Sequence, residues 1–191
     1  MARAMGIGVK LGPKGVIVLA IVLIGLLVFV SWVALAYNSL VRRDTAVLAQ
    51  WAQVENQYQR KIDLIPRLIN ITSQYTQFER SVLENITRLR TQWMNSSGLG
   101  ARINNSIILD QQIFLLIATY ENYPSLRSID LVYDVMTELT GTENQIAVER
   151  MRFNEAVRVY NTQVRSFPDA LIAGSFGFQV RPFYDPIPGG P

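Results

Sequence analysis

Carboxylates are the side chains through which this chain could perform catalysis, because it contains no histidine and no cysteine. Asp63, Glu138 and Glu143 could in principle supply an acid–base pair. Each is predicted to lie on a helix beside arginines, where a carboxylate is more often a solvated ion-pair partner. The missing residue types exclude Ser-His and Cys-His nucleophiles, His-ligated zinc and haem, and Glu-x-x-His di-iron bundles. A carboxylate-based hydrolase therefore remains only a minor alternative.

Binding of a nucleotide or a nucleic acid is equally unsupported. Neither a G-x-G-x-x-G pattern nor a Gly-Lys-[Ser/Thr] pattern occurs, and no cofactor is expected. Of the 18 basic residues, Arg3, Lys10 and Lys14 precede the apolar run described next. The other 15 basic residues follow that run, and so do all 15 acidic residues. The large domain is therefore formally neutral, whereas phosphate contacts need a basic surface.

An uncharged apolar run extends from Val16 to Ala36. At about 1.5 Å per residue it covers about 30 Å, the thickness of the hydrocarbon core of a bilayer. Side chains suited to the two interfaces flank it: Lys10, Lys14, Trp32, Tyr37, Arg42 and Arg43. The run predicts a membrane span, and the membrane is the first expected partner.

The basic residues favour an amino terminus in the cytoplasm and a domain outside it, although the charge count on the two sides is nearly tied. Ala34-Leu35-Ala36 has the form of a signal-peptidase site, and Lys14-Gly15 resembles the cleavage site of pilin-like precursors. The run is longer than the 7 to 15 residues usual for a secretory signal, so we expect the span to be retained.

Four N-x-[Ser/Thr] sequons, at Asn70, Asn85, Asn95 and Asn104, fall within one short region. They predict an exposed, glycosylated stretch outside the membrane. Alternatively, asparagine and serine simply enrich a polar helix face and a loop.

A helical repeat of apolar residues extends from Val47 to Trp93, and no glycine occurs between Tyr37 and Trp93. Pro66 interrupts it, and Asp63 could cap a new helix there, with Lys61 as an ionic or partner contact. One long helix kinked at Pro66 and two helices that turn back at Pro66 both fit the pattern. Trp51, Tyr58 and Trp93 are predicted to be core residues rather than a ligand site.

Two further helices are predicted after a loop at Asn95 to Gly100. The first, Ile107 to Tyr120, is apolar around most of its circumference and could be capped by residues 104–106. The second extends from near Ser128 to about Arg165 and continues through Gly141. After Phe167-Pro168 the tail is aromatic, with Phe176, Phe178 and Phe183, and it ends in PIPGGP. These aromatics are expected either near the bilayer surface or folded over the open end of a bundle.

Several blocks of this sequence resemble the LemA family of membrane-anchored helical proteins. They keep the family's order relative to the span: Arg60-Lys61-x-Asp63-Leu64-Ile65-Pro66, Gly141-Thr142-Glu143-Asn144, Arg152-x-Asn154-x-Ala156-Val157, Tyr160-Asn161, Arg165-Ser166-Phe167-Pro168, Phe176-Gly177-Phe178 and Arg181-Pro182-Phe183-Tyr184. The resemblance implies an all-α fold, in which an up-and-down bundle of about four helices follows a single transmembrane helix. It favours the turn at Pro66 over the kink and implies no established enzymatic activity. The sequons and the PIPGGP end depart from the family pattern and suggest an archaeal or otherwise glycosylating host.

The predicted organisation is a short basic cytoplasmic tail (1–15), a transmembrane helix (16–36), a helical bundle (37–168) and a carboxyl-terminal tail (169–191). The favoured hypothesis is a non-enzymatic, membrane-anchored scaffold that presents a surface to a protein partner or to further copies of itself. A pilin-like or surface-filament subunit is the alternative, distinguished by whether the mature chain begins at Met1 or at Val16. No metal site and no small-molecule substrate are expected.

Overall fold

The structure is a computed structural model that describes residues 12–75, 78 and 80–184. The described residues form six helices and no strand, which confirms the all-α prediction. The helices are α1 (Pro13–Thr72), α2 (Arg80–Asn95), α3 (Leu99–Asn122), α4 (Pro124–Arg127), α5 (Asp130–Arg165) and α6 (Asp169–Phe176). Most of the basic tail and the PIPGGP end lie outside the described residues.

Helix α1 is a single helix of 60 residues that contains both the apolar run and the first helix of the bundle. At about 1.5 Å per residue it is about 90 Å long. It is the one helix of the described chain that is long and apolar enough to cross a membrane. The side chains of the apolar run from Val16 to Ser31 are exposed in the isolated chain, as expected for a surface that faces lipid.

The helix continues through Pro66, so the turn predicted there is wrong. Proline cannot donate the hydrogen bond that the carbonyl of Ile62, four residues earlier, would normally accept. Arg90 of α2 instead donates from Nε to that oxygen at 3.2 Å. The chain turns back only after Thr72. Asp63 is therefore not an N-cap: it lies in mid-helix, is exposed and accepts a hydrogen bond from Gln59 at 2.8 Å.

Helices α1 and α5 form a long antiparallel pair. Arg43 hydrogen bonds the carbonyl of Val159, and the ring of Trp51 contacts that of Phe153 further from the span. Helix α5 continues through Gly141, as the sequence predicts. The α2–α3 hairpin packs against the half of this pair that is distal from the span, where the core contains the predicted residues Trp51, Tyr58 and Trp93.

The hairpin is shorter than the pair that it covers. The part of α1 beyond the span extends about 54 Å, whereas the 16 residues of α2 extend about 24 Å. The proximal half of the bundle is completed instead by α6 and by residues 178–184, which form no regular secondary structure and which we call the C-terminal strap. Part of the tail predicted after residue 168 is therefore helical.

The start of α3 also differs from the prediction. The helix begins at Leu99, directly after Gly98, whose φ of 85° is in the region that favours glycine. Residues 104–106 therefore lie inside the helix rather than capping it. Ser106 is buried and accepts a hydrogen bond from the indole of Trp93 at 2.8 Å, which joins α3 to α2.

Candidate functional site

A cluster of charged side chains lies inside the bundle, where α1, α3 and α5 meet. Lys61 occupies a core position of α1 and is fully buried. Its ammonium group is 2.5 Å from the carboxylate of Asp110 on α3 and also contacts the carboxylate of Glu143 on α5. A buried lysine keeps its charge only when anions compensate it, and these two carboxylates do so.

Asp110 is the centre of the cluster. Its Oδ2 is 3.2 Å from the guanidinium of Arg150. The same oxygen accepts hydrogen bonds from the hydroxyls of Tyr58 at 2.6 Å and Tyr184 at 3.0 Å. With Lys61 and Arg150 opposite Asp110 and Glu143, the cluster is neutral as a whole.

Burial shifts the titration of several members. It raises the pKa of the Glu143 carboxyl, and the neighbouring charge of Asp110 adds to this, while Lys61 and Arg150 lower it. Burial followed by the charge of Asp110 also raises the pKa of Tyr58 and of Tyr184. Both hydroxyls therefore remain protonated hydrogen-bond donors at physiological pH. The guanidinium of Arg150 lies over the ring of Tyr184, 4.8 Å from its centroid.

The C-terminal strap brings Tyr184 into the cluster. Two asparagines of α5, seven residues apart and so on one face of the helix, each form two hydrogen bonds with the strap backbone. Asn161 pairs with the N–H and the carbonyl of Arg181, both at 2.8 Å, and Asn154 pairs with those of Tyr184 at 2.8 and 2.9 Å. The hydroxyl of Tyr160 donates to the carbonyl of Gln179 at 3.0 Å.

An ion pair fixes the strap on its other side. Arg181 forms a bidentate pair with Asp44 of α1, at 2.8 and 2.9 Å. The strap is thus held between α1 and α5 by backbone hydrogen bonds and charge, and Tyr184 seals the cluster. These contacts join α1, α3 and α5 to the C-terminal strap.

A matching family model places these contacts in context. The model, described as "LemA family", matches residues 50–188. The chain belongs to the LemA family. Two relatives from Paramagnetospirillum magneticum, magnetosome proteins MamQ 1 and MamQ 2, are each 23% identical to it over 198 residues, which cover 90% of this chain and 73% of theirs. Magnetosome protein MamQ of Magnetospirillum gryphiswaldense is 23% identical over 200 residues, covering 91% and 74%.

These similarities and the apolar part of α1 together indicate a membrane-associated protein. The structure also shows that the blocks shared with the LemA family, which are distant in sequence, contact one another in the folded chain. Lys61 of the first block contacts Glu143 of the second, and Tyr184 of the last block joins them through Asp110. The asparagines that hold the strap, Asn154 and Asn161, belong to the blocks between.

The predicted carboxylates have different surroundings. Glu138 is exposed and lies 3.7 Å from Arg67, as expected of a solvated partner. Glu143 differs from the predicted solvated partner: its side chain is only 22% exposed and contacts the buried ammonium group of Lys61. Asp63 lies on the exposed side of α1 with Gln59. The three carboxylates considered for acid–base chemistry therefore each have a different partner: Gln59 for Asp63, Arg67 for Glu138 and Lys61 for Glu143.

The other predicted positions are dispersed. Pro66 is exposed on α1. Phe176 and Phe178 both contact the ring of Tyr37 at the end of the span, with centroid distances of 5.0 and 5.7 Å. Phe183 lies on the strap and is about half exposed, whereas its neighbour Tyr184 is buried. Each of the four sequon asparagines is exposed: Asn70, Asn85, Asn95 and Asn104.

A second feature lies where α1 and α5 form an open groove near the span. It is lined by Arg43, Ala46, Gln50, Met151, Arg152, Glu155, Ala156 and Val159. Gln50 and Gln57, seven residues apart on α1, each have a buried Oε1 atom with no hydrogen-bond partner among the described residues. Within the described chain no group of three or more side chains could hold a metal ion.

Proposed function

We propose that this LemA-family protein is a non-enzymatic, membrane-anchored scaffold that presents a protein-binding surface beside the bilayer. The continuity of α1 supports this most strongly. Because one helix forms both the span and the full height of the bundle, the bundle cannot rotate freely on its anchor. A rigidly oriented domain offers the same lateral faces to every neighbour in the membrane, where confinement raises the effective concentration.

The groove between α1 and α5 is the surface that we assign to contacts with a second copy or with another membrane protein. It begins about two turns after the span, at Arg43, so a partner anchored in the same membrane can reach it. Ala46, Ala156 and Val159 are small enough to allow a close approach, and Met151 is 67% exposed. Gln50 lines the groove, and its Oε1 atom, which has no hydrogen-bond partner among the described residues, could accept a hydrogen bond from an occupant after a side-chain rotation.

The buried cluster supports a structural role rather than a catalytic one. Asp110 and Glu143, its two carboxylates, are paired with cations, and its two hydroxyls are hydrogen bonded to Asp110. Tyr184 of the strap is buried against the cluster, and Lys61 is inaccessible to solvent. These contacts fix the orientation of α1, α3 and α5 relative to one another.

We place the bundle outside the cytoplasm. The basic amino-terminal tail favours this orientation. The four exposed sequon asparagines agree with it, although Asn70, Asn85 and Asn104 lie within helices and only Asn95 adjoins a loop. We expect N-glycans first at Asn95, which mass spectrometry of the purified protein would detect.

Topology can be tested with single cysteines because the chain contains none. A Ser97→Cys variant places a thiol in the exposed turn between α2 and α3. A membrane-impermeant maleimide should label it in intact cells, while an Ala4→Cys variant should be labelled only after lysis. The opposite labelling pattern would reverse the orientation.

The mass of the full chain in native-membrane nanodiscs tests the scaffold itself. We expect an assembly heavier than one chain, formed either by copies of the protein or with a co-purifying protein. A strictly monomeric species with nothing bound would contradict the proposal. The same spectrum distinguishes a mature chain that begins at Met1 from the pilin-like alternative, which begins at Val16.

A further inference from the structure

We propose that α6 and the residues on either side of it, Phe167 to Phe178, form a lipid-facing foot that enters the interfacial layer of the bilayer beside the span. The inner face of α6 provides the first observation. Ile172 and Ala173 are buried against Ala36 and Leu40, at the end of the span, with Trp32 and Val33 packed on the same cluster. Helix α6 therefore lies directly alongside the point where α1 leaves the membrane.

The far end of α6 reaches further along the span. Phe176 contacts Tyr37 and, with it, lines a cleft formed by Phe29, Val30, Val33 and Ala34. These four residues belong to the last two turns of the apolar run. Because a helix rises about 1.5 Å per residue, Phe176 reaches several ångströms past the end of the span, toward the bilayer centre.

The outer face of the foot is apolar and uncovered in the described chain. Phe167 is 82% exposed, Leu171 60% and Phe176 55%. No charged residue occurs from Ala170 to Val180. Side chains of this kind beside a span are typical of segments that bury one face in the boundary between headgroups and acyl chains.

The backbone of the foot is suited to a medium with little water. Gly177 ends α6 with a φ of 76°, and the N–H of Phe178 donates to the carbonyl of Ala173 at 3.0 Å. This turn reverses the chain while it satisfies polar groups internally, as hydrocarbon requires. The strap then returns to Asp44 and the bundle, so the segment dips toward the bilayer and leaves it again.

Lipid is the occupant because the exposed face is continuous with the surface of the span. The inference requires only that the span lies in a bilayer, and it is independent of the scaffold proposal. It also accounts for the position of Phe176, which contacts Tyr37 and yet remains 55% exposed.

The depth of α6 can be measured with a Ser175→Cys variant that carries an environment-sensitive nitrobenzoxadiazole label. Ser175 is exposed one turn after Leu171, and its hydroxyl bonds only within the helix, at 2.8 Å to the Leu171 carbonyl. The full-length chain is reconstituted in phosphatidylcholine nanodiscs, with or without lipid that carries a nitroxide near the top of its acyl chain. The matched control is Ser97→Cys, in the turn between α2 and α3.

The foot predicts about twofold or stronger quenching by the nitroxide lipid at residue 175, with little quenching by iodide in the buffer. Residue 97 should show the reverse. Iodide quenching at 175 equal to that at 97 would overturn the inference, and so would protection from both quenchers, which would indicate a protein contact. Circular dichroism confirms folding, and Leu171→Cys serves as a second reporter.

Discussion

Lys61 of α1 contacts Glu143 of α5 inside the bundle, and 82 positions of sequence separate these two residues. The same ammonium group contacts Asp110 of α3 at 2.5 Å. One buried cation thus joins three helices. The consequence is that the cluster should contribute to stability and helix register, and that removing a single member should leave the others uncompensated.

A Lys61→Met variant should lose about 3 kcal/mol of unfolding free energy, because the partly buried carboxylates of Asp110 and Glu143 would keep Arg150 as the one cation of the cluster. Thermal and chemical unfolding in detergent would measure the loss. Arg60→Ala, on the exposed neighbouring position, is the control and should change stability little. Adding Glu143→Gln to Lys61→Met should restore part of the lost stability. If the Lys61→Met variant is as stable as Arg60→Ala, the cluster has no structural role.

The tyrosines of the cluster predict a loss of stability in alkali. Burial raises the pKa of Tyr58 and of Tyr184 above the ordinary value of 10.0. Above that pH the unfolded chain releases these protons while the folded chain retains them, so the unfolding free energy falls as pH rises. The fall should begin near pH 10.

Unfolding measured between about pH 8 and 11 tests this prediction. The decrease should be smaller in Tyr58→Phe and Tyr184→Phe, and unchanged in Tyr133→Phe, which removes a hydroxyl from a half-exposed ring. If the pH dependence of all three variants equals that of the unmodified chain, the two hydroxyls are not responsible for it.

Pro66 lies in a continuous helix and should be replaceable. In a Pro66→Ala variant the N–H at position 66 can donate to the Ile62 carbonyl, which Arg90 serves now. We expect the unfolding free energy to rise by about 1–3 kcal/mol. The gain should be smaller than the full cost of a proline inside a helix, because Arg90 already provides the Ile62 carbonyl with a hydrogen bond. Gln53→Ala, at an exposed position of the same helix, is the control. A clear loss of stability would indicate that the proline forms a turn.

The C-terminal strap should detach when its asparagines are removed. Asn154 and Asn161 each form two hydrogen bonds with it, so Asn154→Ala and Asn161→Ala should each cost about 1–3 kcal/mol. Hydrogen exchange of the Arg181 and Tyr184 amides should accelerate, most of all in the double variant. Asn144→Ala, on an exposed part of α5, should leave these amides protected, and equal protection in the double variant would show that the asparagines do not hold the strap.

Much of this fold follows from local sequence patterns. The length of the uncharged apolar run indicates the span. The helical repeat of apolar residues indicates the long helix after it, the continuity of α5 through Gly141 and the core aromatics Trp51, Tyr58 and Trp93. At Pro66 the apolar repeat fits a continuous helix as well as a turn, and the family resemblance favours the turn. Arg90, which compensates the proline, lies 24 residues later in the chain. Tertiary contacts of this kind leave no local signal.

The sequence contains weak indications of the buried cluster. Lys61 interrupts the core stripe of α1, and Asp110 is the one charged residue between Ile103 and Tyr120. An isolated acid in an apolar helix needs a buried cation, and Lys61 was available. Nothing local in the sequence indicates that Tyr184 reaches Asp110 or that Arg181 pairs with Asp44, because the path of a strap without regular secondary structure depends on the surface that the helices form.

The central proposal, a protein-binding face on the groove between α1 and α5, is tested most directly by cross-linking from Ala46. An Ala46→Cys variant carrying a benzophenone maleimide would be illuminated in its native membrane, beside a Gln111→Cys control labelled on the exposed face of α3. We predict adducts from residue 46 with a second copy or one other protein, and several-fold fewer from residue 111. The account would be contradicted if residue 46 gave no adduct, or if its adducts were no more abundant than those from residue 111.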